Sequence, residues 1–461
     1  MGWVALAIMT GFALRLWFIA HAARIDGDSL IYGDIAKNLL THGVYGFSQT
    51  AAGPAPTLIR LPGYPLFLMA CFAVFGVDHY VAVMVVQAFV DIATCCLVAG
   101  LGWRLFGWRG GVATLWLGAM CPFTANYVAA PLTETLTLFC VALAFFGLER
   151  WKTAGLGWNR WVWVIGGVLG YSLLLRPEQG LLAAAVIPAM GWMVWRRSGR
   201  RASAFAPVIA AAVCVVLPLA PWTVRNWRTF HQFQPLAPRY ATDPGEIVPL
   251  GFQRWFRTWA IDFASTENVY WNYNSAAIDI ANLPARAFDN DDEYNQTAAI
   301  LQDYNQDNNA TRALDIRWEA LAEERIHADP LRYYVALPVA RLMNMLLRPR
   351  FEMMGISLEW WKWSDNRRFA MFGWAYAGLN LIYFALGGVG FWMWLSRERC
   401  GECELAWAMM GYVVLRCALL LTIDNSEPRY TLEFFPVIVV WGGALFSCSL
   451  PVAGCQLKND G

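Results

Sequence analysis

Charged side chains are scarce in this chain: Asp, Glu, Lys and Arg make up only 15% of its 461 residues. A soluble protein carries about 25%, so this composition excludes an ordinary soluble domain. Hydrophobic residues make up 58%, and the 25 Trp and 17 Tyr suit the two interfaces of a bilayer. The formal net charge of +1 offers no bulk attraction to nucleic acid. We therefore predict a polytopic membrane protein whose partners include membrane lipids and no nucleic acid.

Residues that bind metals or cofactors are few and scattered. The five histidines show no metal-ligand spacing, and the chain has no GxxxxGK[ST], GxSxG or HExxH motif. Most of the eleven cysteines lie in apolar runs, where a free thiol behaves as a small hydrophobic group. Cys400 and Cys403 form one isolated CxxC, which is half of a zinc site. We expect no cofactor and no metal site, with a divalent cation as the open alternative.

Long apolar runs recur along the chain. The first, residues 3–22, is long enough to cross a bilayer at about 20 residues per crossing. It ends without a small-residue cleavage site, so we expect a retained helix. The runs predict an all-α integral membrane bundle of about ten transmembrane helices, with external juxtamembrane helices and a mixed, mostly helical external cap. The other predicted spans are residues 80–103, 111–128, 134–149, 161–176, 179–195, 203–221, 370–396, 404–422 and 431–448.

The chain divides into three predicted parts. Residues 1–221 form a transmembrane module with its first external loop at 23–62. Residues 222–369 form the external cap and an interfacial helix, and residues 370–461 form the C-terminal transmembrane helices. The cap segment TRALDIRWEALAEERIHA predicts a helix, because its apolar residues recur at helical spacing. Those residues are Leu314, Ile316, Trp318, Leu321 and Ile326.

Basic residues indicate which loops face the cytoplasm. They cluster in alternate loops, which places the N-terminus inside and residues 23–62 and 222–330 outside. The pattern predicts a multi-pass protein of the plasma (inner) membrane. The clusters are Arg104/Arg108, Arg150/Lys152/Arg160, Arg196/Arg197/Arg200/Arg201 and Arg397/Arg399.

Residues 331–349 admit two interpretations. They are apolar enough to resemble a span, yet they contain Pro338 and Arg341. If they crossed the membrane, the basic RERCGECE loop would fall outside, against the positive-inside rule. If they lie on the outer surface as an interfacial helix, every basic loop stays inside. We favour the interfacial helix.

The segment DSLIYGDIAKNLL places an acidic residue at the mouth of a membrane helix. Asp28 and Tyr32 are four residues apart and share a helical face. A carboxylate is costly to keep there, which points to chemistry at the membrane surface. The structural alternative is an N-cap on the free N–H groups of the helix. Asp34 is the second-choice acid, and its structural alternative is an ion pair with Lys37.

Three further polar clusters lie at the external ends of predicted spans. Arg60, in RLPGYPLF, either reaches lipid headgroups or binds a phosphate. Glu134 opens a span, where the helix dipole favours a carboxylate, and a catalytic or orienting role is the alternative. Arg176, Arg225 and Arg429 each stand near a helix end beside proline or asparagine. One such arginine usually anchors a helix, but these three together with Arg60 predict a bound anion such as a lipid phosphate.

The order of these motifs resembles the membrane-embedded GT-C glycosyltransferases, especially the protein O-mannosyltransferases and the bacterial aminoarabinose and lipopolysaccharide-core transferases. The family segment D-E-x-x-Y-x-x-I-A matches residues 28–36, except that Ser29 replaces the Glu and leaves no pair of carboxylates there. The resemblance covers residues 1–230 and, in outline, 370–448, whereas residues 240–365 match no motif. The other matching segments are residues 62–67, 133–136, 176–178, 221–226 and 429–430.

The resemblance implies an inverting glycosyltransferase that uses a polyprenyl-phosphate-linked sugar on the external, periplasmic face of the membrane. The acceptor would be a lipid, a glycan or a protein. Asp28 would be the general base, which an acceptor hydroxyl needs because its pKa is far above neutral. The leaving phosphate needs fixed cations. The implied substrate-binding residues are Tyr32, Arg60, Tyr64, Glu134, Arg176, Glu178, Arg225, Arg429 and Tyr430.

Two other classes of protein compete with this interpretation. A transporter or flippase of a lipid-linked or anionic solute needs ionisable residues near the bilayer midplane and broken helices. We expect the charges of this chain at the external edge of the membrane instead, which argues against transport. A non-catalytic membrane scaffold would use the cap to bind a partner.

Overall fold

The computed structural model describes residues 2–48, 53–199, 201–356, 358–359, 361, 367–397 and 403–447. Parts of several predicted features therefore lie outside the described residues: Arg200, Arg399, residue 448 of the last span, and Cys400 of the CxxC pair. Helices dominate the described chain, and the prediction of an all-α fold is confirmed.

The N-terminal half consists of helices and one short antiparallel ribbon, in which β1 (Gly46–Phe47) pairs with β2 (Ala55–Pro56). Its helices are α1 (Gly2–His21), α2 (Asp28–His42), α3 (Gly63–Phe75), α4 (Tyr80–Ala119), α5 (Pro122–Tyr127), α6 (Glu134–Thr153), α7 (Arg160–Leu175), α8 (Gly180–Ser198), α9 (Ala206–Val216) and α10 (Leu219–Phe230).

The cap contains α11 (Leu250–Arg257), α12 (Phe263–Ser265), α13 (Asp291–Asp307) and α14 (Arg312–Ala328), and α15 (Leu337–Leu347) follows it. The C-terminal helices are α16 (Arg367–Arg397), α17 (Glu404–Leu420) and α18 (Phe435–Gly443). Short 3₁₀ or π turns connect them at Pro177–Gln179, Ala202–Phe205, Thr266–Tyr270, Ile280–Asn282, Ala285–Ala287, Arg332–Ala336, Pro428–Phe434 and Ala444–Phe446.

Long apolar helices confirm that the protein is an integral membrane protein. In the described part of the chain, five helical segments are long and apolar enough to cross a bilayer, and the total of ten crossings stays a prediction. The predicted span 80–103 and residues 111–119 of the predicted span 111–128 lie in α4, which is interrupted at Gly107, where φ is 76° and ψ is −175°. Glycine adopts such a positive φ without steric cost. The second span continues after a break as α5. The five segments are Gly2–His21, Tyr80–Ala119, Ala202–Phe230, Arg367–Ser396 and Pro428–Phe446.

Helix α6 carries Glu134 at one end and residues of a basic loop at the other. Glu134 opens this helix, while Glu149 and Lys152 lie in its last turns. A helix of 20 residues spans about 30 Å at 1.5 Å per residue. At the far end, Lys152 pairs with Glu404 at 2.9 Å, and Arg104 approaches Glu149 at 3.8 Å. The loops predicted to be cytoplasmic therefore meet at the end of the bundle opposite Glu134.

Helix α3 was not among the predicted spans. It packs against α2. It has 13 residues, too few to cross a bilayer. The turn that follows it carries Asp78, which pairs with Lys37 of α2 at 3.2 Å. The expected ion pair between Lys37 and Asp34 is therefore wrong, because Lys37 points to the next segment of the chain.

Buried ion pairs lie within the described part of the bundle, contrary to the expectation that charges stay at the external edge, and one of them joins α1 to α4. Arg15 of α1 and Asp91 of α4 approach within 2.6 Å, with side-chain exposures of 0% and 2%. Arg15 also donates to the carbonyl oxygens of Gly11 and Gly118, at 2.9 and 3.2 Å. A buried guanidinium needs such acceptors, and the contacts join the first helix to both halves of α4.

The cap has its own apolar core, centred on Trp255, Trp259 and Trp318. The predicted cap helix is confirmed as α14, and its N-cap is Thr311, whose side-chain oxygen accepts a hydrogen bond from the backbone N–H of Leu314. The expectation that Ile316 belongs to the apolar face is wrong, since 63% of that residue is exposed. The boundaries of the cap stay a prediction.

Residues 331–349 fold as a π turn, Arg332–Ala336, followed by α15. One side of α15 contacts the cap, where Arg341 donates to the carbonyl oxygens of Arg257 and Ala260 at 3.2 and 3.0 Å. The other side exposes an apolar stripe at a spacing of four residues. The segment is not among the described helices long enough to cross a membrane, and its interfacial position stays a prediction. The stripe consists of Leu331, Val335, Val339, Met343 and Leu347.

Candidate active site

Asp28 opens α2 and lies between two arginines. Its Oδ1 accepts a hydrogen bond from Arg60 at 2.7 Å, and its Oδ2 accepts one from Arg429 at 3.0 Å. The residue before it, Gly27, has a φ of 49°, and no side chain caps this helix. The N-cap interpretation of Asp28 is therefore wrong, because the carboxylate faces the arginines and not the free N–H groups of its own helix.

The two arginines control the ionisation of Asp28. Burial alone would raise the pKa of this carboxyl, but the charges and hydrogen bonds of Arg429 and Arg60 hold it well below its ordinary value. Tyr32 lies one turn further along α2 under the guanidinium of Arg60, 5.8 Å from the ring centre. Burial raises the pKa of Tyr32 to about 12. At neutral pH the site therefore presents an ionised carboxylate beside a neutral phenol.

Arg429 connects Asp28 with two glutamates. Its Nε forms an ion pair with Glu427 and lies 3.9 Å from Glu134. The ring of Tyr430 lies 5.7 Å from the Arg429 guanidinium. Burial raises the pKa of Glu427 despite the opposing charge of Arg429. The guanidinium of Arg429 thus interacts with three carboxylates, one from α2, one from the start of α6 and one from its own segment.

Arg176 is the second centre of the same network. It approaches Glu134 at 3.1 Å, Glu178 at 2.6 Å and Glu433 at 4.0 Å. Its guanidinium also lies 5.4 Å from the ring centre of Tyr430. Burial raises the pKa of Glu178, but Arg176 and Arg416 outweigh it and lower that pKa overall.

Tyr64 lies beneath Tyr32 and does not reach the charged groups directly. The two rings meet edge to face, with their centres 5.1 Å apart. The hydroxyl of Tyr64 donates to Gln87 at 2.7 Å, and Gln87 in turn donates to the carbonyl oxygens of Val128 and Ala130. Tyr64 therefore links α3 to α4 and to the chain that leads into Glu134.

Arg225 and Asp34 lie outside the charged network. Arg225 donates to the carbonyl oxygens of Tyr45 and Thr57, both at 2.7 Å, so it joins the two sides of the β1–β2 ribbon to α10. Asp34 accepts hydrogen bonds from the backbone N–H and the hydroxyl of Ser48, at 2.7 and 2.6 Å. Both residues organise the loop that carries the ribbon of β1 and β2.

Three members of the network were not among the residues selected from the sequence: Glu427, Glu433 and Arg416. Arg416 and Glu433 approach at 3.0 Å, each with a side-chain exposure of 1%. Both stand inside apolar runs, and an ionisable residue at such a position is a functional signal by itself. Glu427 was present in the Glu427-Pro-Arg429-Tyr430 segment, but its carboxylate had no assigned role.

Metal ligands do not accompany the charged network. Within the residues described, no group of three or more His, Cys, Asp or Glu side chains could hold a metal ion. Cys403, the described half of the CxxC pair, is buried.

The arrangement can bind an anion beside an ionised carboxylate. Arg60, Arg176 and Arg429 are held in place by carboxylates, so a phosphate entering the site meets preorganised donors. The side chains of Asp28 and Arg60 are 24% and 21% exposed. The network is therefore open to a ligand at the end where Asp28 lies.

Comparisons with known proteins show what the chain is similar to. Residues 56–222 match the family model described as dolichyl-phosphate-mannose-protein mannosyltransferase. No curated protein sequence matches the chain. The chain resembles an oligosaccharyltransferase from Archaeoglobus fulgidus, solved with a disulfide-tethered acceptor peptide that contains the NVT sequon, with a TM-score of 0.52 and 13% identity. The alignment covers 96% of this chain and 48% of that one, so the chain spans about half the length of that oligosaccharyltransferase.

The chain also resembles the ArnT protein of Cupriavidus metallidurans. The structure of that protein bound to undecaprenyl phosphate has a TM-score of 0.40 and 14% identity, over 96% of this chain and 78% of that one. Its apo structure has a TM-score of 0.37 and 14% identity, over 97% and 78% of the two chains. The match over residues 56–222 and the fold shared with the oligosaccharyltransferase agree with the resemblance to the GT-C glycosyltransferases found in the sequence.

Proposed function

We propose that the protein transfers a sugar from a polyprenyl-phosphate donor to a lipid, glycan or protein acceptor, with inversion, and that Asp28 is the general base. The observation that carries the proposal is the position of Asp28 between Arg60 and Arg429, at 2.7 and 3.0 Å. A base for the acceptor hydroxyl and cations for a leaving phosphate then lie side by side, as transfer from a lipid phosphate requires.

Charge and the matched family support the donor class. Arg60 and Arg429 hold a carboxylate, and a phosphate offers the same sign of charge with more oxygens for bidentate guanidinium contacts. The family model that matches residues 56–222 is described by dolichyl-phosphate-mannose, which is a sugar on a polyprenyl phosphate. Arg60 lies within the matched region.

Donor binding would strengthen Asp28 as a base. With both of its oxygens on arginines, the carboxylate has a low pKa and accepts a proton poorly. A donor phosphate that draws Arg60 or Arg429 towards itself removes part of that stabilisation. Free Asp28 then has a higher pKa at the moment when the acceptor hydroxyl must lose its proton.

The transfer itself follows from these positions. Asp28 takes the proton of the acceptor hydroxyl while the acceptor oxygen bonds to the anomeric carbon. The bond between that carbon and the phosphate oxygen breaks, and the electron pair leaves with the polyprenyl phosphate. The arginines stabilise the charge that develops there. Attack from the side opposite the leaving phosphate inverts the anomeric centre, and Tyr32 and Glu134 orient the sugar.

The polarity of α6 supports an external, periplasmic site in the plasma (inner) membrane. Glu134, at one end of the helix, approaches Arg176 and Arg429 of the network. Lys152, at the other end, belongs to the basic loops that the positive-inside rule assigns to the cytoplasm.

Asp28→Asn tests the proposal, and Asp26→Asn is its matched control. Asp26 lies two residues away, with a side chain that is 57% exposed and paired with Arg24. The experiment incubates each purified protein with a panel of polyprenyl-phosphate sugars and follows the release or transfer of labelled sugar. Loss of a general base lowers the rate by about 10²–10⁴-fold, so we expect that loss for Asp28→Asn and a near-normal rate for Asp26→Asn.

Two results would contradict the proposal. Sugar transfer by Asp28→Asn at the wild-type rate would show that Asp28 is not the general base. If the wild-type protein released no sugar from any polyprenyl-phosphate sugar in the panel, the proposal that it is a glycosyltransferase with such a donor would be contradicted. Thermal unfolding of both variants, compared with the wild type, shows whether a lost rate reflects chemistry or misfolding.

A further inference from the structure

A second group of arginines lies between the cap and the loop that carries Asp424. This loop leads into the active-site segment, residues 427–430. Arg257 of α11 forms an ion pair with Asp424 at 3.3 Å. Arg341 of α15 donates to the backbone carbonyl oxygen of Arg257 at 3.2 Å, and the positive charges of Arg239 and Arg341 also act on the Asp424 carboxyl. This group therefore contains three arginines and one carboxylate, which gives it an excess of positive charge.

Arg341 is the buried member of this group, and its hydrogen-bond donors are only partly satisfied. Arg341 has 0% exposure, and its Nη1 donates to the carbonyl oxygens of Arg257 and Ala260. Its Nε and Nη2 have no hydrogen-bond partner among the described residues, and neither does Nε of Arg257. A purely structural role, tying α15 to the end of α11, accounts for one of the three nitrogens of Arg341. A buried guanidinium with unpaired donors is costly, so the two remaining donors point to an anionic ligand.

Hydrogen bonds attach this group to the active-site segment. In the loop that carries Asp424, the N–H of Ser426 donates to Thr266 of the cap at 3.1 Å, and its hydroxyl donates to Asn344 of α15 at 3.3 Å. Asp424 precedes Glu427 by three residues. Since an extended chain spans at most about 3.6 Å per residue, their backbones lie within about 11 Å of each other.

We propose that Arg239, Arg257 and Arg341 form a second anion site that binds a phosphate group. Guanidinium groups suit the oxygens of a phosphate, which they contact in pairs. The phosphate belongs either to an anionic acceptor, placed within reach of Asp28, or to the headgroup of an anionic membrane lipid. The acceptor source rests on the proposed function, whereas the lipid source does not.

The ionisation of Arg341 and Asp424 is consistent with an anion-binding site. Burial and the repulsion of Arg257 lower the pKa of Arg341 to about 10, so it stays charged at neutral pH. Burial also raises the pKa of the Asp424 carboxyl despite the three arginines. Asp424 is thus a weak competitor for the cations when a phosphate, with more oxygens and more charge, approaches them.

Phosphate binding by variants of the full-length protein tests this site. Inorganic phosphate is titrated calorimetrically in detergent at constant ionic strength. Arg60→Gln is used as the background because it weakens phosphate binding at the active site. Adding Arg257→Gln should then weaken the remaining binding by about tenfold or more, the factor that corresponds to 1.4 kcal/mol. Adding Arg228→Gln, at an exposed arginine in the last turn of α10, should leave it unchanged.

Either of two results would overturn the site: equal phosphate binding by Arg60→Gln with and without Arg257→Gln, or complete loss of phosphate binding in Arg60→Gln alone. Since Arg257→Gln removes the partner of Asp424, its fold is checked by size-exclusion chromatography. If that variant does not fold, Arg239→Gln replaces it, because Arg239 is exposed and its removal should still weaken binding severalfold. Unchanged phosphate binding in Arg239→Gln would then overturn the site.

Nanodiscs distinguish the two sources of the phosphate. The Arg60→Gln protein is placed in phosphatidylcholine with or without phosphatidylglycerol, and the phosphate titration is repeated. Weaker phosphate binding in the presence of phosphatidylglycerol identifies a lipid headgroup as the ligand, whereas unchanged binding identifies a soluble or acceptor phosphate. Because the readout is binding and not sugar transfer, failure of this inference and failure of the proposed function are separate results.

Discussion

Asp28 and Arg429 form an ion pair at 3.0 Å although 401 residues separate them in the chain. Asp28 begins α2, whereas Arg429 lies in the turn that leads into α18. Because the pair joins segments near the two ends of the chain, the candidate active site exists only once the turn before α18 has packed against α2.

Arg429→Gln should reduce both stability and sugar transfer. The change leaves the carboxylates of Asp28, Glu427 and Glu134 without a shared cation. Removing one partner of a buried ion pair typically costs about 3–5 kcal/mol, and the side chain of Arg429 is only 17% exposed. Unfolding in detergent measures the stability, and Arg228→Gln, at an exposed position in α10, is the control. Equal stability of the two variants would show that the network contributes little to folding.

Arg225→Gln distinguishes a role in the loop from a role at the substrate. The arginine holds the carbonyl oxygens of Tyr45 and Thr57, and hydrogen bonds to a charged donor contribute about 1.5–3 kcal/mol each. We expect faster cleavage between residues 45 and 57 in limited proteolysis than in the wild type. A higher KM for the donor with an unchanged cleavage pattern would instead support the substrate-binding role predicted from the sequence.

The stability conferred by Asp28 should depend on pH in one direction. Its folded-state pKa lies below the ordinary value, so its ion pairs contribute stability that is fully present above the ordinary pKa of about 3.9. That contribution is lost as the pH falls further and the folded-state carboxylate is protonated. The difference in unfolding temperature between wild type and Asp28→Asn should therefore be constant from pH 5 to 7 and shrink below about pH 4. A difference that grows on acidification would show that the pKa is raised instead.

Gly251→Ala should destabilise the cap. A Cβ at this position would lie 2.0 Å from the carbonyl oxygen of Asp315 and 2.8 Å from the backbone nitrogen of Glu319, because α11 and α14 cross closely there. Overpacking of this kind costs about 1–3 kcal/mol. Gly167→Ala in α7 is the control, since its Cβ would meet nothing within 4 Å.

Thermal unfolding, together with the fluorescence of the buried cap tryptophans, measures the effect of Gly251→Ala. The control should be neutral or slightly stabilising, because alanine favours a helix by about 1 kcal/mol over glycine. If both variants unfold at the wild-type temperature, the close crossing of α11 and α14 is not needed for the fold of the cap.

Much of the fold could be predicted from local patterns. Apolar runs and their spacing are properties of short segments, so the membrane helices and α14 were predicted before any contact was known. The wrong predictions concerned side chains whose contacts are made by other segments of the chain. Ile316 has the spacing of a core residue, but it faces solvent because α11 packs on another side of α14. Lys37 has Asp34 within reach on its own helix, yet it pairs with Asp78 from the next segment.

The sequence by itself determined the class of protein, the order of the motifs and the residue types that could bind a phosphate, because composition and local spacing carry that information. Only the tertiary structure decided which charges meet. It joined Asp28, Arg60, Glu134, Arg176 and Arg429 in one network, added Glu427, Glu433 and Arg416, and assigned Arg225 to the loop. Ion pairing depends on distances of a few ångströms between segments that lie far apart in the chain, and helix packing alone sets those distances.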